Sequence, residues 1–392
     1  MARPYSISLT RRRMGNAIER SIEAVAWMER SLHDSVSSVY VDDVKIIAGD
    51  WNGRMVCWSR DGDTLWETNL NDRVSGIRLS IDGEMLWCIA GRVAVGIDYN
   101  DGGIKWNVEF DGSTDSIELD GKNRAWIISS VYDIELNDFI ESAITLVDGL
   151  GNVVQQHILD ERPWSIHPFA EGHAFFGLGR PRGGILEIIE DNKKLIVKHE
   201  ALHDSPVLCG SNLAPFYLGH SNGMITEIDK DGQIGNLSLN CDIDSAVIDL
   251  DSDGELLFIC LDNSDVFCID RKGNKKDSVE LLDSDGNPEL VNVIDGKPSN
   301  YWIVTSTDNG GKLIDSNQNN GNSKITLKII VNSRIRDIAN SNGMTVIGLD
   351  NGKVISIEEN MLSRRIIQSE GFDDEGDMRR SEMRDRLRKL RS

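Results

Sequence analysis

The sequence predicts an all-β fold, a single β-propeller of eight four-stranded blades. Three observations carry this: one segment recurs, its copies sit at multiples of one length, and each unit holds three turns. Gly49-Asp-Trp-Asn-Gly-Arg-Met-Val-Cys-Trp58, Gly219-His-Ser-Asn-Gly-Met-Ile-Thr-Glu-Ile228 and Gly348-Leu-Asp-Asn-Gly-Lys-Val-Ile-Ser-Ile357 superimpose without gaps. A fourth copy, Cys260-Leu-Asp-Asn-Ser-Asp-Val-Phe-Cys-Ile269, keeps the asparagine and the apolar positions. The aligned Asn52, Asn222, Asn263 and Asn351 lie 170, 41 and 88 residues apart. Those gaps are close to four, one and two periods of about 42 residues, a length typical of four-stranded blades.

Each copy has the same physics. Asn-Gly favours a type I′ hairpin because both central residues must take positive φ, and apolar strands flank it. A second turn follows the next strand, at Asp61-Gly62, Asp101-Gly102, Gly151, Asp231-Gly232 and Gly273. A third lies earlier: Ile77 to Trp87, with its Asp82-Gly83, matches Ile248 to Phe258 at a distance of 171 residues. Three turns make four antiparallel strands. The units run approximately 35–70, 71–110, 111–160, 161–202, 203–241, 242–282, 283–330 and 331–368. Blades 3 and 7 are long and are expected to carry insertions around Tyr132–Ser142 and Asn317–Ser323. A blade cannot bury both faces alone, so its Val, Ile and Leu rows must pack on neighbours until the ring closes. Seven blades remain an alternative if one divergent unit is miscut.

Residues 32–62, from Leu32 through Gly49 to Trp58 and Asp61-Gly62, resemble a WD-repeat unit, with Trp58 in the place of the motif's tryptophan. The endings Asp61-Gly-Asp-Thr-Leu-Trp66 and Ile97-Asp98…Gly102-Gly103-Ile-Lys-Trp106 are similar instead to quinoprotein-like (PQQ-like) propeller repeats. Both resemblances imply a scaffold or, in some quinoprotein relatives, a cofactor enzyme.

The ends read as helical. In residues 1–34, Met14, Ile18, Ile22, Val25, Met28 and Leu32 stand at steps of three and four, which predicts an amphipathic helix over 14–33. It would pack on the propeller's edge or dock a partner or a second copy. The propeller proper is expected over 35–368. Residues 369–392 form a flexible charged tail, with a helix over 377–391 that orders on contact; it carries Arg379, Arg380, Arg384, Arg386, Arg388, Lys389 and Arg391.

The chain has 392 residues and a net charge of −22. Residues 35–370 hold 29 basic and 54 acidic side chains, a net of −25. A body so acidic repels a phosphate backbone, so nucleic-acid binding is not expected except through the basic tail. Six cysteines are scattered with no CxxC pair, and Cys57, Cys88, Cys260 and Cys268 sit in apolar strand-like runs. Buried free thiols suit a reducing compartment. No secretory signal and no membrane span are read, so a cytoplasmic protein is expected.

No motif reads as catalytic. Asp249-x-Asp251-x-Asp253-Gly254 opens like a calcium loop, but Leu257 and Cys260 stand where later oxygen ligands are required. His167, His173 and His199 have no cysteine or carboxylate at zinc-ligand spacing and read as structural. Gly177 to Gly184 is glycine-rich but joins two strands, with no helix N-terminus to cradle a phosphate. No cofactor, metal or small-molecule ligand is therefore indicated.

A sharper pattern is an arginine four residues before an apolar residue of the innermost strand: Arg73…Ile77, Arg162…Ile166 and Arg334…Ile338. The corresponding positions elsewhere are Ser35, Ser205 and Asp244. Loops into the inner strand share one face with the turn after strand two, so that face should also show Trp51, Trp164, Arg180, Arg182 and His220. Exposed tryptophan and arginine anchor protein interfaces, and guanidinium forks suit carboxylates. Alternatively, each arginine simply pairs with an acid nearby, such as Asp72, Glu161 or Asp337. The leading expectation is a non-catalytic scaffold for protein partners, bound in part through an acidic segment. The alternatives are a small-molecule or anion binder using the channel, including a quinoprotein-like oxidoreductase, and a purely structural assembly subunit.

Overall fold

The computed structural model describes residues 17–192, 194–240, 243–252, 255–280, 291–295, 302–317 and 324–370. Eight sheets stand around a channel. Seven of them run in chain order from the inside out, over 36–69, 74–109, 113–159, 163–200, 207–236, 247–280 and 291–331. The eighth takes three strands from 335–358 and its outermost from the beginning of the chain. We number these blades 1 to 8. Each innermost strand touches those of both neighbours, so the ring is closed.

The burial follows from that geometry. Middle strands are apolar on both faces, as in Lys45–Asp50 and Met85–Ala90, because each face meets another blade. Eight apolar clusters among the described residues lie one to each blade junction. Trp58 packs with Met344, Val346 and Val354 between blades 1 and 8, while Trp126 and Phe176 meet edge-on between blades 3 and 4. The outer-strand tryptophans act as clamps. Trp66 Nε1 donates to Tyr99 O (3.0 Å) of blade 2, and Trp106 Nε1 donates to Gly149 O (3.1 Å) of blade 3.

The first glycine of the recurring segment also has a cause. A Cβ at Gly348 would stand 2.4 Å from Val36 Cγ1, and one at Gly219 would stand 2.4 Å from Val247 Cγ1. At each place the next blade's inner strand begins against bare backbone. Gly348→Ala is therefore expected to lower the unfolding free energy by about 1–3 kcal/mol through overpacking. The reading is a lower urea midpoint with an unchanged slope.

The amphipathic helix expected over 14–33 does not form across its described part, residues 17–33. Ile18–Ser21 is a strand parallel to Lys324–Val331, making blade 7 five-stranded. One helical turn follows at Ile22–Val25, and then Met28–Ser31 pairs antiparallel with Lys353–Glu358 as the fourth strand of blade 8. The apolar positions singled out by spacing are still the buried ones: Ile22, Val25, Met28 and Leu32. The open edges of blades 7 and 8 offer backbone partners that outweigh the local helical pattern. Blade 8 then gives way to a helix, Glu359–Glu370, that no spacing argument anticipated. Glu358 caps it by accepting from Met361 N (2.7 Å) and Asn360 N (3.2 Å). Leu362 and Ile366 cover the junction of blades 7 and 8, and Arg365 donates to Ala24 O (2.8 Å) and Ala26 O (3.1 Å). The charged helix expected over 377–391 and the insertion around 317–323 lie wholly or largely outside the described residues.

Candidate interaction face

In a four-stranded up-and-down blade, the connection into the inner strand and the turn after the second strand emerge at the same end. That end therefore carries Trp51, Arg73, Arg162, Trp164, Arg180, Arg182 and Arg334. Every inner strand also slips register near its start, at Val36/Ser38, Val74/Gly76, Thr114/Ser116 and Pro163/Ser165 in blades 1 to 4. Blades 5 to 8 slip at Val207/Cys209, Val247/Asp249, Val291/Val293 and Ile335/Asp337. Such bulges bend a strand and re-aim the extra residue. Measured from this common bulge, Arg73, Arg162 and Arg334 are equivalent positions. The equivalents in blades 5 and 6 are Pro206 and Ala246, one and two residues beyond the expected Ser205 and Asp244.

Two arginine–aromatic clusters occupy this face. Trp51, 41% exposed at its hairpin turn, lies under the Arg73 guanidinium at 4.2 Å, with Arg336 at 5.7 Å. Arg336, the bulge residue of blade 8, donates to Asp350 (Nε 2.7 Å), which also accepts from Ser35 Oγ (3.0 Å). Arg334 is held by Asp308 at 2.8 Å. Arg73 is different. Among the described residues no carboxylate reaches its guanidinium, and burial, then the charge of Arg336, depress its pKa.

In the second cluster the Arg162 guanidinium lies 4.4 Å from the Phe139 ring and 4.5 Å from Trp164. Its Nη2 donates to Asp115 Oδ1 at 2.9 Å. Trp164 is 48% exposed, and its ring lies so close over Gly179 that a Cβ there would be 2.3 Å from Nε1. Arg182 pairs with the buried Glu161 (3.0 Å), while Arg180 is exposed to solvent. Phe139 belongs to the long hairpin formed by Ala125–Asp133 and Asp138–Val147, at the insertion expected from the length of blade 3. Its tip leaves Ile134 87% exposed, together with Leu136, Ile140 and Tyr132.

Below this rim the inner strands hold a charged set. Arg78 donates to Glu118 at 2.5 Å and 3.0 Å. Asp337 accepts from Val39 N (2.7 Å) and Ile338 N (3.0 Å), and burial pushes its pKa up to about 6.

No protein-family model matches the sequence, and no curated protein sequence does. Solved structures do match in fold. BamB from Moraxella catarrhalis aligns with a TM-score of 0.65 at 13% identity, over 85% of this chain and 97% of that one. The C-terminal WD40 domain of Sif2 gives 0.65 at 10% identity, over 88% and 99%. Sqt1 from Saccharomyces cerevisiae gives 0.64 at 11% identity, over 85% and 98%. The chain is an eight-bladed β-propeller.

One residue expected on the propeller's open face is not there. His220 is 1% exposed, its Nδ1 at 3.0 Å from Ser205 O and its Nε2 at 2.8 Å from Thr226 Oγ1. The turn after its strand is on the face, but alternation along the strand points this side chain into the junction of blades 4 and 5. His167 is buried in the same way, between Ser211 O (3.0 Å) and Ser165 Oγ (2.9 Å), and burial lowers both histidines to about 4. His199 sits 2.9 Å from Gly183 O, and His173 lies 3.0 Å from Glu187. Asp249 and Asp251 belong to an inner strand of the propeller, Val247–Ser252, while residues 253 and 254 lie outside the described set.

Sequence reasoning missed Asp115, Phe139 and Arg336. The first and last are bulge residues, and a bulge leaves no mark in the apolar alternation. Phe139 was hidden in an insertion that has no counterpart in other blades.

Proposed function

We propose that this propeller is a non-catalytic scaffold, working in the cytoplasm, that presents its channel-entrance face to a protein partner. The observation that carries this reading is the pair of exposed tryptophans, Trp51 and Trp164, each stacked with arginine on one face beside a projecting apolar hairpin. Tryptophan and arginine are the side chains most enriched among residues that dominate interface energy. An exposed apolar tip such as Ile134 and Leu136 is costly in water and gains by being covered. The cytoplasmic setting is supported by five free cysteines among the described residues, four of them buried. No helix among those residues is long and apolar enough to cross a membrane.

The test is affinity capture with the full chain, comparing wild type, Trp51→Ala/Trp164→Ala and the opposite-face control Ile81→Ala. A partner whose recovery falls at least about tenfold with the double variant and not with the control supports the reading. Equal recovery from all three, or no partner that depends on the two tryptophans, would overturn it.

A further inference from the structure

Arg73 is set apart from the other arginines of its face. Arg162, Arg182, Arg334 and Arg336 hold Asp115, Glu161, Asp308 and Asp350 respectively. Arg180 also lacks a carboxylate among the described residues and, like Arg73, is exposed, but no described aromatic ring lies under its guanidinium. The Arg73 guanidinium is instead drawn against the Trp51 ring and placed beside a second guanidinium. A cation beside a like charge, with no described carboxylate to offset it, carries an electrostatic cost within the fold. A carboxylate brought from outside removes that cost, while Trp51 supplies apolar surface beside it.

On the reading of this face as a protein-binding surface, we infer that Arg73 and Trp51 receive an Asp or Glu side chain flanked by an apolar residue, from an extended segment of the partner. A carboxylate fits better than a phosphate. Asp72, Asp308 and Asp350 lie around the site and the body carries −25, so a dianion is repelled more than a monoanion. The same field argues against a long acidic tract. At physiological salt it is screened beyond about 8 Å, so one acid in contact with Arg73 is attracted while acids farther along meet an acidic surface. The recognised element is thus a short motif with one acid and an apolar neighbour.

The experiment is a selection of random short peptides displayed on phage, run on the immobilised full chain and in parallel on Arg73→Ala and Trp51→Ala. Wild type is expected to enrich peptides with one Asp or Glu beside an apolar residue. Replacing that acid by Asn or Gln should weaken binding at least about tenfold, the loss of one charge-assisted pair, and Arg73→Ala should retain none of them. The Arg73→Ala protein should melt within a few degrees of wild type, because Arg73 holds no described carboxylate and gives up only its stacking on Trp51; a large drop would mark Arg73 as structural and overturn the inference. The inference is overturned by wild-type peptides that lack an acid, by acidic peptides held equally by Arg73→Ala, by phosphoserine analogues that bind more tightly than the acid, or by no enrichment. Acid-free peptides that still need Trp51 would sink the carboxylate alone and leave the scaffold reading intact.

Discussion

A chain that starts at residue 33 is expected to lose the closed ring. The segment removed supplies the fourth strand of blade 8 (Met28–Ser31) and the added strand of blade 7 (Ile18–Ser21). It also takes Ile22, Val25, Met28 and Leu32, with 1%, 1%, 4% and 3% exposure, out of the junctions of blades 7, 8 and 1. Truncating one such side chain costs about 2–5 kcal/mol, and a whole domain is stable by only about 5–15 kcal/mol. Four lost together, with a strand edge left unpaired, are of the order of the total. The shortened chain should show no cooperative thermal transition and a larger radius of gyration by small-angle scattering. A synthetic peptide of residues 17–33 added in trans should restore both. A truncated chain that melts within a few degrees of the full one would show that the closing strand is an accessory. Met28→Ala gives a graded version, with an expected loss of about 2–5 kcal/mol in urea unfolding.

The same segment shows where sequence reading succeeds and where it stops. Asn52, Asn222 and Asn351 mark hairpins because Asn-Gly is nearly a local property of the chain, although only Gly53, Gly223 and Gly352 take positive φ there, so the turns are not the expected type I′. The count of eight units follows from spacing. The apolar face of Ile22, Val25, Met28 and Leu32 is also legible from spacing, and all four are buried. Their backbone conformation was not, because it is decided by strand edges more than 300 residues away in sequence, at Lys324–Val331 and Lys353–Glu358. Leu362 and Ile366 carried only two apolar contacts' worth of periodicity, too little to announce a helix. On the interaction face, Arg73, Arg162 and Arg334 were placed as equivalents because each directly precedes its inner strand. The partners that distinguish them, Asp115 for Arg162 and Asp308 for Arg334, come from neighbouring blades and cannot be inferred from their own segments. His220 was misplaced because a strand-end residue and a turn residue differ by one position, and one position reverses the face.

The propeller is expected to lose stability steeply between pH 6.5 and 4. His167 and His220 are almost fully buried, and each bridges a carbonyl and a hydroxyl through its neutral ring: Nδ1–H donates to Ser211 O or Ser205 O, and Nε2 accepts from Ser165 or Thr226. Burial lowers both to about 4, against about 6.5 in the unfolded chain. For His220 the nearby ring of His203, 4.2 Å away, adds to the depression. A histidine with a depressed folded pKa favours the native state above the unfolded value, and that advantage disappears as pH falls toward the folded one. Two shifts of this size are worth about 3 kcal/mol each. Asp337 works in the opposite direction. Its folded pKa of about 6 lies above the ordinary carboxyl value, so the native state gains protons, and stability, as pH falls from 6 to about 4. That returns about 3 kcal/mol and leaves a net loss of about 3–4 kcal/mol, to which His157, His173 and His203, each lowered mainly by burial, add in the same sense. Urea unfolding at half-unit pH steps measures the slope. His220→Gln should cost stability at pH 7.5 through its cavity and lost hydrogen bonds, yet flatten the profile below pH 6.5 by about one proton's worth. Asp337→Asn should make the acid loss steeper, since the opposing carboxyl is gone. A wild-type profile that is flat from pH 7 to 4.5 would mean that these rings take up protons without leaving the junctions they fill.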